Sequence, residues 1–265
     1  MYSTLATLLD RLDRPDLRAT NVMSWAAPIP AFGDVSTSTI ATVGLNPSNR
    51  EFLDRRGAVL EGRQRRFHTL ESLRISSWAE ADARHIRLML DSCIRYFALN
   101  PYDIWFKRLD QLIARTAFSF YGSGACHLDL IPYATSEKWT DLDAWERSAL
   151  LAVAADALAS LLRNSPIRVL ILNGRTVVKR FEEMTGTRLR EREMRSWSLP
   201  RRSGLDVPGF SYKGWIEELH GVIFAQPVLV LGYNHNIQSS YGVTNFVMRA
   251  IGQWIALQIE RQLVE

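Results

Sequence analysis

An α/β fold built on a parallel sheet is predicted by three features of the sequence. Short apolar runs rich in Val, Ile and Leu recur along the chain, each closed by Gly or Pro. Helical periodicities fill the gaps between them. Alternation of the two element types points to strands wound side by side with helices on both faces. The expected architecture is a three-layer sandwich around a four-stranded parallel sheet, with residues 1–265 forming a single domain.

Each element follows in turn. "MYSTLATLLDRLDRPDLR" reads as an amphipathic helical extension with Leu5, Leu8, Leu9 and Leu12 on one face. Asp10 and Arg11 interrupt it, so it lacks the apolar core of a secretory leader. Thr39 to Val43 read as the first strand, broken by Gly44 and Pro47. "AEADARHIRLMLDSCIRYFAL" and "PYDIWFKRLDQLIARTAF" are helical, and Asn100-Pro101-Tyr102 marks a helix start with Pro in its first turn. "ACHLDLIPY" from Ala125 is the second strand. Within it Cys126 and His127 point to opposite faces, which reads as core packing and not as a thiol with its base.

"DLDAWERSALLAVAADALASLLR" is a helix with Asp141 or Asp143 as N-cap, and "IRVLILNG" from Ile167 is the third strand. Asn173 and Gly174 close that strand in a backbone role. "GFSYKGWIEELHGVIF" suggests a small hairpin feeding the last strand, "QPVLVLGYN" from Gln226. "GVTNFVMRAIGQWIALQIERQL" closes the chain as another amphipathic helix.

Composition narrows the chemistry. The chain is 47% hydrophobic and 23% charged, without an apolar run long enough to span a membrane. Two cysteines, Cys93 and Cys126, cannot make a disulfide framework or a four-cysteine cluster, so a reducing cytoplasm is the expected location. The five histidines are scattered, and neither a metal nor a cofactor is expected. The net charge of +4 is mild. Its distribution is more telling, because "NREFLDRRGAVLEGRQRRFH" and "RLREREMRSWSLPRRS" gather arginines in loop-like stretches suited to a phosphate backbone.

In open α/β sheets ligands bind beyond the carboxyl ends of the strands. The loops there hold Asn46 with Pro47 and Ser48, then Asp129 to Ala134, Asn173 to Arg175, and Asn234 to Ser240. Their polar groups suit a small heteroaromatic ligand.

"GLNPS" resembles the first motif of the uracil-DNA glycosylase superfamily, whose members read Gly-x-Asn-Pro-Gly or Gly-Gln-Asp-Pro-Tyr after the first strand. "HLDLIPYAT" is similar to its second-strand segment, which in the single-strand-selective branch carries an Asn before a Cys-Pro pair. "LGYNHNIQSS" occupies the place of the last motif, usually His-Pro-Ser, although no Pro follows His235. The lack of a cysteine set excludes the iron–sulfur branches.

The resemblance implies a monofunctional DNA glycosylase that flips a nucleotide out of the stack and hydrolyses its glycosidic bond. Asn46 would hold the attacking water by its side-chain carbonyl, and neutral His235 would donate to the departing base. Gly44, Leu45, Pro47 and Ser48 would line the pocket, with Phe67 as stacking plate and Phe52 as runner-up. Asn234 or Asn236 would contact base or phosphate. Arg50, Arg65, Arg66, Ser239 and Ser240 would meet the DNA. No lysine sits in the motifs to form a Schiff base.

Two positions bear on substrate. Ser48 stands where the uracil-specific branch has a bulky Tyr, leaving room at C5. Asp129 stands where the single-strand-selective branch has Asn, counting back from Pro132. An ionised Asp only accepts, so it suits the amino group of a cytosine-type base and repels the O4 of uracil; cytosine N3 would additionally require a protonated partner. Alternatively, Asp129 is a buried acid paired with an Arg. The expected role is removal of a cytosine-type or C5-modified base, as in defence against phage with modified DNA, by a monomer. The alternatives are a uracil or mismatch repair glycosylase and a non-catalytic nucleic-acid-binding module of the same fold.

Overall fold

The computed structural model describes residues 1–101, 103–122, 124–201, 204–238 and 242–263. Its strands are β1 (Ile40–Gly44), β2 (Ala125–Asp129), β3 (Val169–Asn173), β4 (Arg190–Glu193), β5 (Phe210–Leu219) and β6 (Val222–Tyr233). The main helices are α1 (Tyr2–Leu12), α2 (Ala83–Ile94), α3 (Ile104–Ile113), α4 (Ala144–Ala154), α5 (Ala157–Leu162), α6 (Arg175–Thr185) and α7 (Asn245–Leu263).

The α/β class is as expected, but the sheet is six-stranded and mixed, in the order β2-β1-β3-β6-β5-β4. β2, β1, β3 and β6 are parallel and correspond to the expected strands. β5 and β4 extend this sheet in antiparallel fashion. The expected small hairpin is a long one, β5 paired with β6, and His220 and Gly221 between them both take positive φ, 49° and 74°, as a two-residue turn between twisted strands requires. Pro227, which discourages a strand reading, lies beside the register shift between Ile216 and Glu218. β4 is the stretch "RERE", exposed throughout, so it shows no apolar alternation and reads as loop. Charged side chains on such an edge discourage further strand pairing.

The parallel strands are buried on both faces, and alternation sorts their side chains. Ile40, Ala125, Ile171, Leu231 and Tyr233 share one core with Phe32, Phe52, Phe67, Tyr96, Phe106 of α3, and Ile251 and Ile255 of α7. Ala41, Val43, Cys126, Leu128 and Leu172 face Leu158 and Leu162 of α5 and Val177, Val178 and Phe181 of α6. Cys126 and His127 do lie on opposite faces. At about 25 cal/mol per Å² of apolar surface removed from water, these two layers hold the sandwich together.

The first helix belongs to a third core. Leu5, Leu8, Leu9 and Leu12 pack with Ile86 and Met89 of α2 and Leu150 and Val153 of α4. Tyr133, in the loop after β2, donates to the Leu8 carbonyl at 2.9 Å. Asp143, not Asp141, caps α4, with Glu146 closing the capping box. The helix expected to start at Asn100-Pro101-Tyr102 starts instead at Ile104, because the Asp103 carboxylate accepts from the Trp105 and Phe106 amides. Tyr102 itself lies outside the described residues. Among the described residues no helix is long and apolar enough to cross a membrane.

Candidate functional site

The carboxyl ends of β1 and β2 are joined beyond the sheet itself. Leu130 donates its amide to the Gly44 carbonyl and Ile131 to that of Leu45, at 3.1 and 2.9 Å. This brings the "GLNPS" loop against the loop that follows β2. Gly44 is required by this packing, since a Cβ there would stand 2.3 Å from Asp129 Oδ1 and 3.0 Å from His127 Nε2. Both side chains therefore lean over Gly44.

Asn46 is held at its nitrogen. Nδ2 donates to Thr135 Oγ1 at 3.0 Å and to the Pro47 carbonyl at 3.2 Å. Thr135 in turn donates to the Glu137 carbonyl at 2.7 Å, so its oxygen is oriented to receive the amide. Among the described residues nothing donates to Asn46 Oδ1. The residue is half-buried. Pro47 is buried, Leu45 is half-buried, and exposed Ser48 caps the turn at Asn49–Glu51 by accepting from the Arg50 amide.

Asp129 and His127 lie two residues apart on one face of β2, with side chains 4% and 2% exposed. His127 Nε2 approaches Asp129 Oδ1 to 3.4 Å, and its Nδ1 lies 2.7 Å from Thr42 Oγ1. No hydrogen bond to the Asp129 carboxylate forms among the described residues, and its ionic neighbour is a histidine, not an arginine. The His127 ring is enclosed by Phe32, Phe106 and Trp105, with centroids 5.6, 5.2 and 5.2 Å away. Reading His127 as core filling passed over its i, i+2 relation to Asp129, a signal already present in the strand.

Phe67 and Phe52 are core residues, 3% and 1% exposed. Phe67 stacks on Tyr96 at 5.3 Å and meets Phe32 edge-on at 5.4 Å, so its ring is spent on protein contacts. Trp105, at 40% exposure, is the open aromatic surface beside His127.

Arg66 is also committed internally. Its guanidinium bonds Asp103 Oδ2 at 2.7 Å, Glu51 Oε2 at 3.3 Å and Tyr96 Oη at 3.2 Å. It therefore ties the turn after Asn46 to the cap of α3 and does not present a free cation to DNA. Burial pushes the Glu51 carboxyl up to about 7, against the opposing pull of Arg66. Arg50 is exposed and bonds the Asp54 carbonyl, while the exposed Arg65 side chain makes no hydrogen bond among the described residues.

The last loop is arranged differently from expectation. His235 is 4% exposed, and its Nε2 lies 2.7 Å from the Trp197 carbonyl. A carbonyl only accepts, so Nε2 carries the hydrogen. Burial lowers the His235 pKa, keeping the ring neutral and leaving Nδ1 a lone pair. Donation to a base would require the bond to Trp197 to break. Asn234 is occupied at both ends, accepting from the Phe210 amide and donating to the Pro208 carbonyl, each at 2.8 Å. Asn236 is exposed and accepts from the Gln238 amide at 3.2 Å. Ser239 and Ser240 lie outside the described residues.

Asn173, given only a backbone role by the sequence, uses its side chain. Tyr233 donates to its Oδ1 at 2.7 Å, and its Nδ2 donates to Gln238 Oε1 at 2.9 Å. Gln238 Nε2 is buried without a partner among the described residues.

The structure thus brings Gly44, Asn46 and Asp129 together at one corner and gives His235, Asn234, Phe67 and Arg66 other engagements. Among the described residues no group of three His, Cys, Asp or Glu side chains gathers as a metal site. A hollow of about 370 Å³ lined by Thr185, Gly186, Trp215, Glu218 and His220 lies at the opposite end of the sheet and shares no residue with this corner. Comparison of the chain with protein-family models and with curated proteins finds no match.

Proposed function

We propose that the protein is a monofunctional DNA glycosylase acting on a flipped-out, cytosine-type base, with defence against modified foreign DNA as its setting. The observation that carries the reading is the Asn46 amide, fixed by Thr135 at nitrogen and, among the described residues, without a donor at oxygen, in the loop that packs against the end of β2. In this reading Asn46 Oδ1 orients water toward the anomeric carbon. The C1′–N bond breaks with its electron pair going to the base, and the water supplies hydroxyl to the sugar and a proton to the products. An amide is a weak base, so turnover is slow. Asp129 accepts from the exocyclic amine, and Trp105 offers the surface on which the ring stacks. Ser48, small and exposed, leaves the C5 side open.

The test is incubation with DNA bearing uracil, cytosine, 5-substituted cytosines or hypoxanthine, followed by cleavage of abasic sites. Cytosine-type release that disappears in Asn46→Ala, with DNA affinity unchanged, supports the reading. Uracil release alone refutes the role given to Asp129 and leaves a repair glycosylase. A second reading, a nucleic-acid-binding module without chemistry, is favoured by the engagement of His235 Nε2 with Trp197. DNA binding that survives Asn46→Ala, with no abasic product from any substrate, would establish it.

A further inference from the structure

With His235 Nε2 turned to a backbone carbonyl, the departing base needs another donor, and Gln238 is placed to be one. Its Nε2 is a buried donor without an acceptor among the described residues. Its other end is fixed by a relay across the sheet, from Tyr233 through Asn173 to Gln238 Oε1, at 2.7 and 2.9 Å. With Tyr233 donating to Asn173 Oδ1, the relay ends on Gln238 Oε1 and leaves the Gln238 N–H groups free. Its backbone amide is fixed as well, by Asn236 Oδ1.

The relay stands on the same face as Asp129. Asp129 pairs with Gly44, Asn173 with Tyr233, and Val43 with Leu172, so Asp129, Gly44, Asn173 and Tyr233 form one row at the carboxyl ends. Neighbouring strands are about 4.8 Å apart, so the row from Asp129 to Asn173, whose amide reaches Gln238, covers roughly 10 Å, about the length of a pyrimidine with a hydrogen bond at each end. Among the described residues, one end of the row carries a carboxylate that accepts no hydrogen bond, and the other an amide nitrogen that makes none. Cytosine is complementary to that order, presenting its N4 amine as donor and O2 as acceptor.

We infer that Gln238 Nε2 donates to O2 of the cytosine-type base and stabilises the negative charge that gathers there as the C1′–N bond breaks. This rests on the function proposed above and moves the donor from the expected histidine to a glutamine. A preorganised donor of this kind contributes most in the transition state.

The test is Gln238→Met, which keeps the volume and removes the donor, alongside Gln238→Ala. Circular dichroism identifies any variant that has lost its fold, and the other then serves. Under single turnover with cytosine-type DNA, base release should slow by roughly 100-fold, as for loss of one such donor, while DNA affinity stays within about twofold. Release within about threefold of the unsubstituted protein would overturn the role of Gln238 and leave the glycosylase reading standing. Absence of base release by the unsubstituted protein from every substrate would remove both.

Discussion

At the scale of single residues, the corner at Asn46 depends on Thr135. Thr135→Val removes the acceptor that fixes the amide and nothing that touches DNA. A hydrogen bond of about 1 kcal/mol corresponds to a fall of roughly fivefold in base release, measured under single turnover with DNA affinity unchanged. Gly44→Ala drives a Cβ toward Asp129 Oδ1, and should lower stability by about 1–3 kcal/mol in a denaturant titration. Arg66→Ala strands Glu51 and Asp103 beside one another, an expected loss of about 3 kcal/mol. Glu51 supplies a pH signature. Its folded pKa of about 7 lies above the ordinary 4.5, so the folded state holds the proton more tightly. Its contribution to stability is fully present below 4.5 and is lost as pH rises through about 7. The difference in melting temperature between the unsubstituted protein and Glu51→Gln should therefore change across that window and be flat outside it.

At the scale of elements, the β5–β6 turn depends on two left-handed residues, His220 and Gly221. Gly221→Val places a branched side chain at φ 74°, and should cost about 1–2 kcal/mol, seen as a lower melting temperature. The parallel strands were legible because each is a short apolar run with a clear stop. β4 was not, because "RERE" forms only by pairing with β5 and carries no apolar face. In the site, Gly44 and Asn46 were legible from the strand that delivers them. The engagement of Arg66 was not, since its partners Glu51, Tyr96 and Asp103 are brought to it only by packing. The same holds for Asn173 and Gln238, whose contact spans the gap between β3 and the last loop.

At the scale of the whole molecule, the parallel strands aim their loops at one end, while the antiparallel hairpin and the charged edge lie to one side. The protein's net charge of +4 is modest, so under the proposed function DNA affinity would rest on exposed arginines such as Arg65 and base choice on Asp129. The most direct test is the ratio of cytosine-type to uracil release by Asp129→Asn, with single-turnover rates on otherwise identical DNA. Asn donates as well as accepts, so the account predicts a ratio shifted toward uracil in this variant. A ratio unchanged from that of the unsubstituted protein would contradict it.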